Sequence, residues 1–175
     1  MNIVTDYEII SNNDSTFTIK YFNIPPCHIC HETIKYRDSR IRYVKYPGGS
    51  RKAFHISRYK CERCNVLCSL LPDIMVPYKQ YSSETICDVI DGVLTSDDLE
   101  AEDYPTEKTM FLWLEWFCKN LQYIDEYLRS LKSRISGKPV TGSVVEVLRT
   151  QHKNWLGKII VMVYNSGGAL TPLRG

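Results

Sequence analysis

A chain of 175 residues with 43% hydrophobic and 24% charged content can bury a core, as one domain or as two small ones, and is neither fibrous nor disordered. Its longest apolar runs, such as 159–164, fall far short of the roughly 18–20 residues of a membrane span, and MNIVTDYEII lacks a basic-then-apolar leader. The expectation is a cytoplasmic protein with no membrane partner. The formal net charge of +2 hides a division, because 35–63 carries ten Lys or Arg against two acids while 82–107 carries nine acids and no Lys or Arg.

Seven cysteines, an odd number, argue against a disulfide framework and for thiols kept free to bind metal. In chain order, the first signal is CHIC, a Cys27-x-x-Cys30 knuckle. The stretches RIRYVKY and KAFHISRYK follow, rich in β-branched and aromatic residues and joined by PGGS at 47–50, whose glycines accept positive φ; they predict a β-hairpin. KCERC then supplies Cys61-x-x-Cys64. Two such knuckles joined by a hairpin are a zinc-ribbon layout, and four thiolates suit one structural Zn²⁺ per chain. Cys27, Cys30, Cys61 and Cys64 are the expected ligands; His28 and His31 do not sit at ligand spacing, though either or Cys68 is a candidate replacement, and Cys68 could join His31 in a second site. A thioredoxin-type dithiol needs one motif at a helix N-terminus, and a catalytic zinc needs an open position. The pattern therefore predicts no enzyme.

Pro72 and Pro77 predict an extended connector, and Ser82 or Ser83 a cap for a short helix with Ile86, Val89 and Ile90 on one face and Gly92 at its end. From 107 to 136 there is no Gly or Pro, and Met110, Trp113, Phe117, Leu121, Ile124, Leu128, Leu131 and Ile135 recur at spacings of three and four; Thr106 is the expected N-cap. After SGKPVTGS, Val144, Leu148, Trp155, Ile159 and Met162 predict one further helix running to about Tyr164. Cys87 and Cys118, both on helical stretches, are expected in the core. The fold class expected is α+β, with a zinc ribbon and N-terminal strand over 1–80 and a helical unit over 81–175.

CHIC, RYKCERC, LLPDIMVPYKQYSSETICDVIDG and PTEKTMFLWLEWF together resemble a bacterial family of uncharacterised proteins, common in Firmicutes and often linked to mobile elements. In that family a zinc ribbon precedes a helix-turn-helix region like the N-terminal DNA-binding part of insertion-sequence transposases. The likeness covers about 27–116, with a weaker match in NWLGKIIVMVYNSGGALTP. It implies zinc on Cys27, Cys30, Cys61 and Cys64, and a helix-turn-helix-like start to the helical unit. His28 and His31 depart from the proline and glycine usual around the first knuckle.

The hairpin's Arg40, Arg42, Lys45, Arg51, Lys52 and Arg58, interleaved with tyrosines, form a surface for a phosphate backbone. A helix that carries Glu107 and Glu115 and follows the acidic block of 82–107 suits the major groove poorly. The expected function is DNA binding, most simply to a duplex, by a transcription regulator or transposition accessory protein of a mobile element or phage. Secondary phosphate contacts fall on Arg129, Lys132, Arg134, Lys138, Arg149 and Lys153. The alternative is a protein-interaction adaptor acting through the acidic segment 82–107 and the helical surfaces, without DNA; under either reading the helix over 107–136 is a candidate for homo-oligomer contact.

Overall fold

The structure, a computed structural model, describes residues 1–46, 49–98 and 105–170. It is mixed α+β: a six-stranded curled sheet comes first and four helices follow. The strands are β1 (Asn2–Val4), β2 (Tyr7–Ser11), β3 (Thr16–Tyr21), β4 (Ile34–Lys45), β5 (Arg51–Cys61) and β6 (Leu67–Pro72).

β5 organises the sheet. Along one edge it pairs antiparallel with β4, from Lys45↔Arg51 to Ile34↔Cys61, with a bulge between Tyr36 and Asp38. This is the hairpin expected from the sequence, although Pro47 and Gly48 of its turn lie outside the described residues. The other edge of β5 is shared. Its first half pairs parallel with β3 (Phe17↔Phe54) and its second half antiparallel with β6 (Tyr59↔Cys68), while β1 joins β6 in parallel.

Alternation along these strands divides the interior in two. Phe54 and Ile56 of β5, Leu71 of β6 and Ile3 of β1 enter the main core. Tyr59 and Cys61, Leu70 and Cys68, and Val4 face the opposite way into a smaller cluster that also holds Cys27. Because successive side chains point to opposite faces, residues of opposite parity on one strand can serve two cores.

The helices α1 (Ser83–Ile90), α2 (Glu107–Ser136), α3 (Val144–Gln151) and α4 (Trp155–Asn165) supply the rest of the main core. Ser82 caps α1, accepting from the Thr85 amide, and Gly92 follows with φ 70°. Thr106 caps α2, as expected. Met110, Trp113, Trp116, Phe117, Ile124 and Leu128 are buried along α2, but Ile135 is 84% exposed, because the helix outruns the core it packs on. Cys118, expected in the core, is exposed on α2, whereas Cys87 is buried.

Three other expectations change. The single helix over 144–164 is two helices: His152 is extended at φ −136°, and the Asn154 side chain caps α4 by accepting from the Gly157 amide. Gly157 also sits where a Cβ would lie 2.7 Å from the Asp73 carbonyl, so only glycine lets α4 approach the chain after β6 this closely. The connector is turned and not extended, with Met75 N–H donating to the Pro72 carbonyl and Lys79 N–H to that of Val76. Finally, residues 91–106 separate α1 from α2, against the roughly 3–4-residue turn of a helix-turn-helix.

α4 closes the structure onto β1. The Asn165 side chain accepts from the Ile3 amide at 2.8 Å and donates to the Ile3 carbonyl at 2.7 Å, imitating one rung of a further strand.

Candidate functional site

The ends of β4 and β5 bring both knuckles together. Cys27 Sγ lies 3.5 Å from Cys64 Sγ, and Cys30 Sγ 3.4 Å from Cys61 Sγ. All four sulfurs are within 4.8 Å of one another. These separations are far longer than a disulfide and close to the about 3.8 Å between sulfurs around a tetrahedral zinc with bonds near 2.3 Å. Cys27 and Cys61 are fully buried, so a cation there would be shielded from water.

The two knuckles are built alike. Cys27 N–H donates to the Glu32 carbonyl and His31 N–H to the Cys27 carbonyl; in the second knuckle Cys61 N–H donates to the Val66 carbonyl. The residue after each second cysteine, His31 or Asn65, takes a left-handed backbone with φ 58° or 60°. This tight turn aims backbone amides at the sulfurs. The Cys30 amide, with that of Ile29, lowers the Cys27 thiol to about 6. The Cys64 amide likewise lowers Cys61. At Cys64 the Val66 amide pulls downward, but burial and the neighbouring sulfurs outweigh it and push the thiol up to about 12. In each knuckle the first cysteine is thus the more readily deprotonated, and binding of a dication would release the remaining thiol protons.

The donor set fits a metal ion, and its four sulfurs suit zinc. Cys27, Cys30, Cys61 and Cys64 would hold it, and it would supply cross-linking of the sheet's end, not an open coordination position. Cys68 belongs to a neighbouring group: its Sγ is 3.5 Å from His28 Nδ1, and with Cys27 these form a trio within 4.8 Å. Cys68 therefore meets His28, not the His31 paired with it from sequence.

The basic hairpin residues fall into separate environments. Arg42 is turned inward: its Nη2 donates to the carbonyls of Val76 at 2.7 Å and Lys79 at 2.6 Å, and burial lowers its pKa to about 10. Arg58 forms a two-pronged pair with Asp38 at 2.5 and 2.6 Å. Arg51 stacks its guanidinium 3.7 Å from the Tyr43 ring centre, and Lys52 lies over Phe17 and Tyr46. Arg40 is exposed. Lys45 stands 5.5 Å from the Tyr81 ring centre.

Arg40, Arg42, Lys45 and Arg51 converge on a cavity of about 450 Å³, which Tyr78, Lys79 and Gln80 of the connector complete. Lys52 and Arg58 do not line it. The connector residues were missed by sequence reasoning. Their only signal is a Tyr-Lys-Gln run beside a proline, which gives no hint that it lies against the hairpin.

Part of the acidic block is neutralised internally. Asp91 pairs with Arg149 at 2.5 Å and accepts from Trp155 Nε1 at 2.7 Å, and Glu84 pairs with Lys153. These partners come from α3, the turn after it and the start of α4, not from the hairpin. Glu100, Glu102 and Asp103 lie outside the described residues.

Residues 27–113 match the family described as a domain of unknown function, DUF6431. The DUF6431 match opens on the first cysteine of the centre and closes on Trp113 in α2, so it spans the hairpin, both knuckles, the connector and α1. No curated protein and no solved structure matches the chain. Among the described residues no helix is long and apolar enough to cross a membrane.

Proposed function

We propose that the protein binds DNA through the basic hairpin, with a structural zinc on the four cysteines closing the end of the sheet. It would serve as a transcription regulator or transposition accessory protein of a mobile element or phage. One observation carries the reading: five cationic side chains, Arg40, Arg42, Lys45, Arg51 and Lys79, surround one cavity with no carboxylate among the described residues that line it. Converging cations without acids raise the local potential and attract phosphate. In this reading the metal is structural and the protein is no enzyme.

Arg42 is spent on the fold, and Lys52 and Arg58 lie outside the cavity, which leaves Arg40, Lys45, Arg51 and Lys79 as the phosphate contacts. About four contacts predict that log K for a duplex falls against log salt with a slope of about −4. Fluorescence anisotropy over a salt series measures it. Absence of binding to any DNA at low salt would overturn the proposal.

A second reading, a protein adaptor, is favoured by one observation. Phe111 of α2 is 64% exposed beside a cavity of about 350 Å³ lined by Val89, Ile90, Leu94, Met110 and Leu114. Retained partner binding after Arg40 and Arg51 are replaced by Ala, with no DNA binding in the parent chain, would select it.

A further inference from the structure

Tyr78 combines three features that ordinary packing does not explain. Its ring is 70% exposed. Its backbone has φ 64°, a conformation that bulky side chains avoid. The turn is held on either side of it: Arg42 bonds the carbonyls of Val76 and Lys79, Lys45 N–H donates to the Gln80 carbonyl at 2.7 Å, and Ser82 N–H to the Lys45 carbonyl at 3.2 Å. A strained turn clamped this way persists because its surroundings over-determine it, and here the outcome is an aromatic ring held out in water.

Tyr78 lines three cavities, one of about 570 Å³ toward Tyr164 and Asn165 and two that share the residues of its own turn. The one of about 450 Å³ lies on the hairpin side, and another of about 340 Å³ runs toward Thr106 and Thr109 at the start of α2. Lys45, Tyr78, Lys79 and Gln80 line both. The amide end of a 30-residue helix adds to the positive field. Cations for phosphate, an exposed ring for a base face and a glutamine for a base edge thus share one short groove.

We infer that this groove takes an unpaired nucleotide, its base stacked on Tyr78 at the end of the strand whose phosphates Arg40, Lys45, Arg51 and Lys79 contact. The inference rests on the DNA-binding reading and deepens it. A cavity of this size admits one small ligand but not a double helix, and inside a duplex both base faces are already stacked. The preferred DNA is therefore a duplex that carries unpaired bases beside the stretch gripped by the hairpin.

The test compares a fully paired duplex with the same duplex bearing an oligothymidine tail, by anisotropy at low salt, for the parent chain and for Tyr78→Gly and Tyr78→Phe. Glycine accepts the left-handed backbone, so Tyr78→Gly is expected to melt no lower than the parent. The tail should tighten binding about tenfold, as one stacked base does. Tyr78→Gly should abolish that gain without changing duplex binding, and Tyr78→Phe should keep it. A tail that adds nothing, or a Tyr78→Gly variant that keeps the gain or loses duplex and tailed binding alike, overturns the inference while leaving DNA binding intact. Loss of both DNAs in the parent chain overturns the underlying reading instead.

Discussion

His31 and Asn65 hold the same left-handed backbone, φ 58° and 60°, each directly after the second cysteine of its knuckle. Asparagine tolerates this region better than most residues, whereas histidine stands where a glycine would be free of strain. His31→Gly should keep one zinc per chain and melt at or slightly above the parent, by up to about 1 kcal/mol, because relief of strain offsets the looser unfolded chain. His31→Val should cost about 1–2 kcal/mol, since a β-branched residue is least at ease there. Metal content with thermal melting decides. Zinc lost from His31→Gly would make the imidazole a ligand.

Cys61→Ser and Cys64→Ser should each release the zinc and unfold the end of the sheet, where the centre joins β5 to the first knuckle. Cys68→Ser should retain the metal, because Cys68 touches His28 and lies outside the set of four. Zinc analysis of the purified variants, with circular dichroism, distinguishes the outcomes. Chelation of the parent should reproduce the Cys61→Ser spectrum.

Arg42 and Arg40 lie two residues apart on β4 and should respond oppositely. Arg42→Ala leaves the carbonyls of Val76 and Lys79 without their charged donor and should cost about 2–3 kcal/mol in urea unfolding. Arg40→Ala should change stability by less than about 0.5 kcal/mol and weaken DNA binding. An Arg40→Ala variant that unfolds early, or binds DNA as before, contradicts this division.

Asp125 ties α2 to the start of α3, accepting from Ser143 Oγ at 2.9 Å, the Val144 amide at 2.7 Å and the Val145 amide at 3.1 Å. Burial would raise its pKa, but the Val145 amide, the Ser143 hydroxyl and the Val144 amide outweigh it, so the folded value lies below the usual carboxylate range. A folded pKa below the unfolded one gives stability that is complete above the unfolded value, about 4, and is lost as pH falls through the folded value. Asp125→Ala should cost about 2 kcal/mol near pH 7, and the difference from the parent should shrink below about pH 4. Urea titrations across pH measure both.

The local elements and the four-cysteine cluster were readable in the one-dimensional chain because each rests on short-range chemistry. Paired Cys-x-x-Cys spacing is set by the bite of a single ion, the hairpin by β-branched and aromatic runs around a glycine turn, and the 30-residue α2 by an uninterrupted apolar stripe behind Thr106. Long-range placement was not readable in this way. Nothing local reveals that β5 shares one edge between β3 and β6, or that odd and even residues of one strand serve two cores. The close approach of Gly157 in α4 to Asp73 is likewise a contact across the fold. The basic hairpin shows the difference most plainly. Its charges can be counted from the chain, but whether an arginine meets solvent, an aspartate or two backbone carbonyls depends on which neighbour folding brings within about 3 Å, and the clamped Tyr78 beside it comes from the same convergence.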